Sequence, residues 1–344
     1  MTEDEDARNM RSERLRQLIT SEIFNFDHKE VDENLNFEHI QHLIDGFDRA
    51  NEQSLRYWFK VPLSLPVHNV RFVDENFNRN QINTSLHGST VFTEALNHIK
   101  FSARKEIKDS FFQTKINALG AELENRAEIS GYQTLYQLHH QTRDYTFDTT
   151  SSRSKEDDVS SCFHNFVLSH VSCIINFLFP FSCVKGQVNA DGARADYIFI
   201  NNMLLENERQ VQVKVLPIEM KVGDISNIHI WAQEGSDGKP QNSVAFSIMH
   251  QLFQYAVLYH SDVVVLSDFE KTTIIKFLFP LDNTGGNTIE YDFRCFNITA
   301  APITVKWVLA ALVYHKLKRR KSDITKEKKK IESFYLALIK KKKY

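Results

Sequence analysis

The sequence predicts an α/β fold, a three-layer core around a mixed β-sheet preceded by a mainly helical N-terminal region. Two observations predict it. Residues 7–60 repeat apolar side chains at helical spacing, whereas residues 159–280 alternate helix-like and strand-like runs. The chain has 344 residues, is 42% hydrophobic and is poor in Gly and Pro. It is therefore long enough to bury one large core or two ordinary ones.

The N-terminal region, residues 1–150, is predicted to be mainly helical. RSERLRQLITSEIFNF and NFEHIQHLIDGFDRANEQSLRYWF have helical periodicity, and a further helical run covers residues 90–129. The segment between them breaks the pattern and predicts a loop with a short strand at NVRFV. Residues 142–158 are polar and rich in Ser and Thr, so we predict a linker or an exposed loop there.

The second region, residues 151–315, is predicted to hold the sheet. A buried helix at VSSCFHNFVLSHVSCIINFLF precedes three strand-like runs, CVKGQVN, ADYIFIN and QVQVKVLPIEMKV. The turn signal GSDGKP leads to the helix SVAFSIMHQLFQYAVLYH, whose cap is Asn242 or Ser243. Two strands, DVVVLSD and TTIIKFLFP, follow. The run TAAPITVKWVLAALVYHKL predicts a helix that packs on the same core.

The third region, residues 316–344, is a basic C-terminal tail. It carries 13 Lys and Arg against 3 Asp and Glu, although the whole chain has a formal net charge of −2. Such a block is either a solvated basic helix, or a nuclear-import address and phosphate-backbone contact. For the second alternative, the candidate nucleic-acid-binding residues are Lys316, Lys318, Arg319, Arg320 and Lys321.

Several classes of protein are not expected from the pattern. No run of about 18 apolar residues occurs, so no membrane span is expected. The acidic start MTEDEDARNMRSER predicts neither a signal peptide nor a transit peptide. The 4 cysteines form no Cys-x-x-Cys pair, which makes a zinc site unexpected. We therefore expect a nuclear or cytoplasmic protein that is not secreted.

Polar residues interrupt the apolar runs of the predicted core at particular places. Asp196 opens the second strand, and Glu219 and Lys221 share one face of the third because side chains alternate along a strand. Gln251 and Tyr255 lie four residues apart on one face of the following helix. Each has an ordinary alternative: turn chemistry, an ion pair on an exposed sheet face, or the polar edge of a helix. Their joint order favours one shared site.

An Asp on the second strand, Glu-x-Lys on the third and Gln-x-x-x-Tyr on the next helix resemble the PD-(D/E)XK nuclease superfamily, in particular its RecB-like branch. The resemblance covers about residues 159–280. It implies a restriction-endonuclease-like core and metal-dependent hydrolysis of the phosphodiester bonds of nucleic acid, with DNA more expected than RNA. The metal would be Mg²⁺ or Mn²⁺, which carboxylates and waters bind readily.

The resemblance also implies roles for individual residues. Asp196, Glu219 and the backbone carbonyl of Met220 would hold the metal. Lys221 would orient or help deprotonate the attacking water and offset phosphate charge. Gln251 would hold the metal shell or the phosphate, and the other helix residue, Tyr255, would stack on a base or bond a phosphate.

The first core helix departs from the family because it lacks an acidic residue. His164 or His170 on that helix are possible replacements, and Glu156 or Asp157 lie just upstream. The departure favours an alternative, a catalytically inactive nuclease-fold protein that serves as a DNA-binding or protein-interaction scaffold. In a third interpretation, Phe-rich helices bind another protein and the polar constellation has no catalytic role. The N-terminal helical region is the candidate surface for a protein partner.

Overall fold

The computed structural model describes most of the chain after residue 98 and short segments before it. The described residues are 63, 70–73, 99–129, 149–152, 156–190, 193–204, 210–223, 225, 227–232, 242–279, 288–300, 303–319 and 321–341. The helices predicted within residues 7–60 lie outside the described residues. By its contacts the chain divides into two units, and the unit that holds the sheet takes residues 63–119 and 146–344.

Nine strands occur in the described residues. They are β1 (Val70–Val73), β2 (Lys100–Glu106), β3 (Thr149–Ser152), β4 (Ser182–Ala190), β5 (Ala193–Leu204), β6 (Gln210–Met220), β7 (Val263–Ser267), β8 (Lys271–Phe277) and β9 (Thr288–Asn297). Strands β1 and β3 form a parallel pair. The other seven form one mixed sheet in the order β2-β9-β8-β7-β6-β5-β4. The predicted α/β class is confirmed.

The described residues also form seven α-helices. They are α1 (Asp109–Ile129), α2 (Glu156–Phe163), α3 (Ser169–Leu178), α4 (Ile228–Trp231), α5 (Ser243–Leu258), α6 (Val305–Lys318) and α7 (Lys321–Lys341). A π-helical turn, His164–Leu168, joins α2 to α3. Helix α5 begins where predicted, because the Asn242 side chain accepts hydrogen bonds from the N–H groups of Val244 and Ala245.

The central strands are buried on both faces. In β6 every residue from Val215 to Met220 is buried, and in β7 all but the first residue are. Consecutive buried residues require cover on both sides of a sheet, because neighbouring side chains point to opposite faces. Glu219 belongs to this buried run, so its carboxylate lies in the core and not on an open sheet face.

Two strands of the sheet were missed and one predicted helix is wrong in part. The segment Lys100–Glu106, predicted as helix, is β2 and pairs in parallel with β9, which was also missed. The predicted linker at 142–158 is wrong where β3 and the first turn of α2 occupy it. The short strand expected near Val70 is confirmed.

Most of the described part of the basic tail is helix α7, which packs on the core. In α7 the side chains of Ile331 and Phe334 are buried, and the ring of Phe334 lies 5.5 Å from that of Phe279 and 6.4 Å from that of Phe253 in α5. The lysines Lys326 and Lys328–Lys330 face solvent on the same helix. The described part of the tail is therefore a basic helix with one buried face.

One helical run of the described residues is long and apolar enough to cross a membrane by length and composition alone. It extends from Glu156 to Leu178, and 56% of its most apolar window is buried inside the protein. Core helices of soluble proteins meet the same criterion. It contains Ser, His and Asn side chains and is therefore not a continuous apolar run of about 18 residues.

A buried lysine in α6 predicts how stability changes with pH. Lys306 is 4% exposed, and burial lowers its pKa to about 8 from 10.5. Between about pH 8 and 10.5 the unfolded chain binds a proton that the folded protein does not, so stability rises with pH there. We expect Lys306→Met to stabilise the protein by about 2–3 kcal/mol at neutral pH. Denaturant unfolding at a series of pH values measures it.

The advantage of the Lys306→Met variant should shrink as the pH approaches 10.5, because the lysine of the unfolded wild-type chain then also loses its proton and folding no longer has to remove it. The exposed Lys105 supplies a control: Lys105→Met should change the free energy of unfolding little at any pH. A constant difference between Lys306→Met and wild type across the alkaline range would contradict the assignment.

Candidate metal centre

Two adjacent strands bring Asp196 and Glu219 together. Strands β5 and β6 are antiparallel and Tyr197 pairs with Ile218, so Asp196 and Glu219 are neighbours at the next step of the register. The Met220 backbone N–H donates a hydrogen bond of 2.7 Å to Asp196 Oδ2. This bond fixes the Asp196 carboxylate against the end of β6. The Met220 carbonyl lies at the same strand end, and its role as a ligand stays a prediction.

The site lies where β6 ends beside its parallel neighbour. Ile218 to Met220 pair with Val265 to Ser267 of β7, and the Lys221 N–H donates to the carbonyl of Ser267 at 2.9 Å. Carboxyl ends of parallel strands are common locations for ligand sites in α/β sheets. Lys221 therefore leaves the strand with its backbone still tied to the sheet.

Helix α5 holds the Glu219 carboxylate with two side chains. Gln251 Nε2 donates to Glu219 Oε1 at 2.8 Å, and the hydroxyl of Tyr255 lies 2.9 Å from Glu219 Oε2. The same hydroxyl lies 2.7 Å from the backbone carbonyl of Arg194 and accepts from Gln251 Nε2 at 2.7 Å. The predicted spacing of four residues thus places both side chains on one carboxylate.

Lys221 bridges two carboxylates. Its Nζ lies 2.5 Å from Glu219 Oε1 and 3.2 Å from Glu156 Oε1. Glu156 belongs to the first turn of α2, where the helix N-terminus favours negative charge. The five predicted side chains Asp196, Glu219, Lys221, Gln251 and Tyr255 therefore meet at one place, and Glu156 joins them.

Three carboxylates are close enough to share one cation. Single oxygens of Glu156, Asp196 and Glu219 all lie within 4.8 Å of one another. It is the one such cluster of three acidic, His or Cys residues in the part of the chain that the structure describes. Carboxylate oxygens suit Mg²⁺, Mn²⁺ and Ca²⁺, so the donor set fits a hard divalent ion.

Burial disfavours the charged form of each carboxylate in this cluster. It raises the pKa of Glu219 to about 8, although the neighbouring Lys221 ammonium opposes the shift. Burial also raises the pKa values of Asp196 and Glu156. For Lys221, burial acts to lower the pKa, but Glu219 and Glu156 outweigh it and the pKa is raised. The single ammonium does not offset the cost of burying the carboxylates, and a bound cation would.

One buried oxygen of the site lacks a hydrogen-bond partner among the described residues. Gln251 is 7% exposed and its Nε2 makes two hydrogen bonds, but its Oε1 has none. A buried carbonyl oxygen without a donor costs free energy. The atom is suited to a metal ion or a metal-bound water, which agrees with the role predicted for Gln251.

Tyr255 cannot stack on a base as the sequence interpretation allowed. The residue is 1% exposed and its ring packs near that of Tyr259, with the two ring centres 5.8 Å apart. Its hydroxyl faces Glu219. Tyr255 therefore holds the Glu219 carboxylate, and the prediction that it stacks on a base is wrong.

Three supporting residues were not predicted. Tyr259 donates to the backbone carbonyl of Val188 and so ties β4 to α5 near Asp196. Ser160 Oγ donates to the Tyr197 hydroxyl at 2.9 Å, which ties α2 to β5. The spacing of Tyr259, four residues beyond Tyr255 and eight beyond Gln251, is a signal that could have found it. Ser160 and Tyr197 carry no such pattern.

Histidine does not take the place of the missing helix acid. The His164 ring stacks on Tyr197 with ring centres 5.5 Å apart, and His170 is buried in α3. Neither belongs to the carboxylate cluster, and Asp157 is exposed. Glu156, which the sequence offered only as one of several stand-ins, is the acidic residue that reaches the site.

The candidate nucleic-acid-binding residues of the tail have partners within the protein. Lys316 Nζ lies 3.0 Å from Ser261 Oγ and 3.1 Å from Glu327 Oε1, and Arg319 also pairs with Glu327. Lys318 Nζ lies 2.5 Å from the hydroxyl of Tyr314. These contacts join α6 to α7, so Lys316 and Arg319 contribute to the fold. Contact with nucleic acid stays a prediction for them and for Lys318. Arg320 and the side chain of Lys321 lie outside the described part.

Comparison with known protein families, characterised proteins and solved structures gives no match. The resemblance to the PD-(D/E)XK nucleases therefore rests on the types of the site residues and their order along the chain.

The hydrogen bonds to Glu219 predict the effect of replacing Tyr255. We expect Tyr255→Phe to lower the free energy of unfolding by about 1–2 kcal/mol, because Gln251 Nε2 loses an acceptor and the one O–H that lies near both Glu219 Oε2 and the Arg194 carbonyl is removed. It should also weaken divalent-ion binding several-fold, because Glu219 Oε2 loses the O–H that holds it. Calorimetry with Ca²⁺ and denaturant unfolding measure the two effects.

Tyr259→Phe is the matched control. Its hydroxyl bonds backbone groups of Val188, Ala193 and Ala195 and makes no hydrogen bond to Glu219. The control variant should lose stability and keep most of its affinity for the ion. Equal losses of affinity in Tyr255→Phe and Tyr259→Phe would argue that Tyr255 acts only on stability.

Proposed function

We propose that this protein is a metal-dependent nuclease of the PD-(D/E)XK type, which hydrolyses phosphodiester bonds of nucleic acid, with DNA favoured. One observation carries the proposal. Glu156, Asp196 and Glu219 converge with Lys221 at the end of β6, although they come from a helix and two strands far apart in sequence. Ordinary ion pairs do not need three buried or half-buried carboxylates around one lysine.

The order of elements supports a restriction-endonuclease-like core. A helical run, α2 to α3, precedes the antiparallel strands β4, β5 and β6. Helix α5 then leads to β7, which lies parallel to β6. The acidic residue that the family places in the first helix has a counterpart in Glu156, at the start of that helical run.

Each side chain has a task in this proposal. Glu156, Asp196 and Glu219 would hold Mg²⁺ or Mn²⁺, which would acidify a water and offset charge on the leaving oxygen. Lys221 would orient or help deprotonate the attacking water and stabilise phosphate charge. Gln251 and Tyr255 hold the Glu219 carboxylate in place.

The catalytically inactive scaffold has less support than the sequence alone suggested. The observation that favoured it was the missing acidic residue of the first helix, and Glu156, at the start of that helical run, lies in the carboxylate cluster. The exposed lysines of α7 and the other basic residues of the tail remain candidates for contact with a phosphate backbone or for nuclear import. A nuclear or cytoplasmic location goes with this function, and no membrane partner is proposed. The candidate protein-binding region at the N-terminus lies outside the described residues.

Hydrolysis of end-labelled single- and double-stranded DNA and RNA with Mg²⁺ or Mn²⁺ tests the proposal. We expect wild type to cleave at least one polymer, a chelator to stop cleavage, and Asp196→Asn to lower the rate by at least about 100-fold. The amide can still accept the Met220 N–H, so the fold should survive the change. Inert wild type that still binds nucleic acid would instead support the scaffold.

A further inference from the structure

The ammonium of Lys221 lies among groups that a metal ion would use. Its Nζ contacts Glu219 Oε1 at 2.5 Å and Glu156 Oε1 at 3.2 Å, and the side chain is 1% exposed. These are two of the three carboxylates that lie within 4.8 Å of one another. A lysine that only positioned a water would not need to occupy the oxygens of two ligands.

The charges match one divalent ion. With its three carboxylates ionised, the cluster of Glu156, Asp196 and Glu219 together with Lys221 carries a net charge of −2. A dication neutralises it, whereas the same carboxylates without the lysine would suit a trivalent ion. A protonated lysine cannot coordinate a metal, because an ammonium has donors and no lone pair.

We propose that Lys221 is an internal cation that competes with the metal ion for Glu219 and Glu156, so that metal binding displaces the ammonium from Glu219 Oε1. This inference rests on the metal site of the proposed function and adds a determinant of its affinity and charge preference. Lys221 weakens binding of the ion, and its displaced ammonium remains as a positive charge beside the ion.

The surroundings show where the displaced ammonium goes. Glu219 keeps its two donors from α5, Gln251 and Tyr255, so it stays in place when the lysine leaves. The side chain of Glu156 is 32% exposed, against 3% for Glu219. An ammonium that leaves Glu219 therefore moves towards the open side of the site, where a phosphate group of the substrate would meet it.

The test compares Lys221→Met, which removes the charge at similar volume, with Lys221→Arg, which keeps it. Calorimetry measures Ca²⁺ binding at rising pH up to about 9, so that proton competition for the carboxylates fades. Terbium luminescence measures Tb³⁺ binding at neutral pH. We expect Lys221→Met to bind Ca²⁺ about tenfold more tightly than wild type and Tb³⁺ about 30-fold more tightly, because the removed repulsion scales with the ion's charge.

Lys221→Arg should stay within about threefold of wild type for both ions, because its charge is retained. At the highest pH values, the affinity for Ca²⁺ should no longer change with pH. If Lys221→Met binds Ca²⁺ no more tightly than wild type there, the proposal is overturned. Wild type that binds no divalent ion at all refutes the metal site itself, and so the proposed function. Wild type that binds the ion and cleaves, with a Met variant that gains no affinity, refutes only the internal cation.

A second measurement uses wild type alone, in case Lys221→Met does not fold. Reductive methylation followed by mass spectrometry reports how accessible each amine is, with the exposed Lys105 as the internal standard. Ca²⁺ should speed the modification of Lys221 relative to Lys105, because the displaced amine loses its carboxylate partner. An unchanged ratio overturns the proposal.

Discussion

Replacing Glu219 with Gln should abolish metal-dependent cleavage, lowering its rate by about 1,000-fold or more. Glu219 is the carboxylate on which the site is built, since it contacts Lys221, Gln251 and Tyr255 and belongs to the cluster of three. An amide removes one of the negative charges that would hold the ion. Rates on the preferred polymer, measured with Mg²⁺ and Mn²⁺, give the result.

The fold should tolerate Glu219→Gln, which makes the loss of activity informative. The new amide oxygen can accept from Lys221 and Gln251, as Glu219 Oε1 does. The Tyr255 hydroxyl can donate to the Arg194 carbonyl instead and accept from the new amide nitrogen. Circular dichroism should match wild type. The exposed Glu290→Gln is the control and should keep full activity. Undiminished cleavage by Glu219→Gln would remove Glu219 from the mechanism.

The parts of the fold that follow local patterns were predictable. Strands β4 to β8 and helices α5 and α6 each carry a local apolar pattern or a cap, such as Asn242 at the start of α5. Strand β2 does not, because KFSARKE has one fully buried side chain, Phe101, and five charged or polar residues around it. Its partner β9 lies almost 190 residues further along the chain. No local pattern encodes such a pairing.

The same distinction applies to the candidate site. The spacing of Glu219 and Lys221, and of Gln251 and Tyr255, is a local property of a strand and a helix, so the sequence could place each pair. Glu156 stands in a run of acidic residues that looks like an exposed loop. Only the packing of α2 against the end of β6 brings it to Lys221. Its contribution is therefore visible in three dimensions and not in the sequence pattern.

Two neighbouring acidic residues give the sharpest test of the site. Glu156 contacts Lys221 and belongs to the carboxylate cluster, whereas Asp157 is exposed and outside it. We expect Glu156→Gln to lower the cleavage rate by about 100-fold and to weaken Ca²⁺ binding, because one ligand charge is lost. Asp157→Asn removes the same charge from the same helical turn. It should change both quantities less than about twofold if the long-range charge of the turn is largely screened.

The comparison separates coordination from general electrostatics. A carboxylate that binds the metal acts through direct contact, so only the loss of Glu156 should lower the cleavage rate and the Ca²⁺ affinity. If the helix acted through its overall negative potential, both variants would lose the same amount. Burial already raises the pKa of Glu156, so its removal should not destabilise the fold, and unfolding of both variants by denaturant checks this. Equal activity of the two variants would mean that the first helix supplies no catalytic acid, as the sequence suggested. The inactive scaffold would then regain its support.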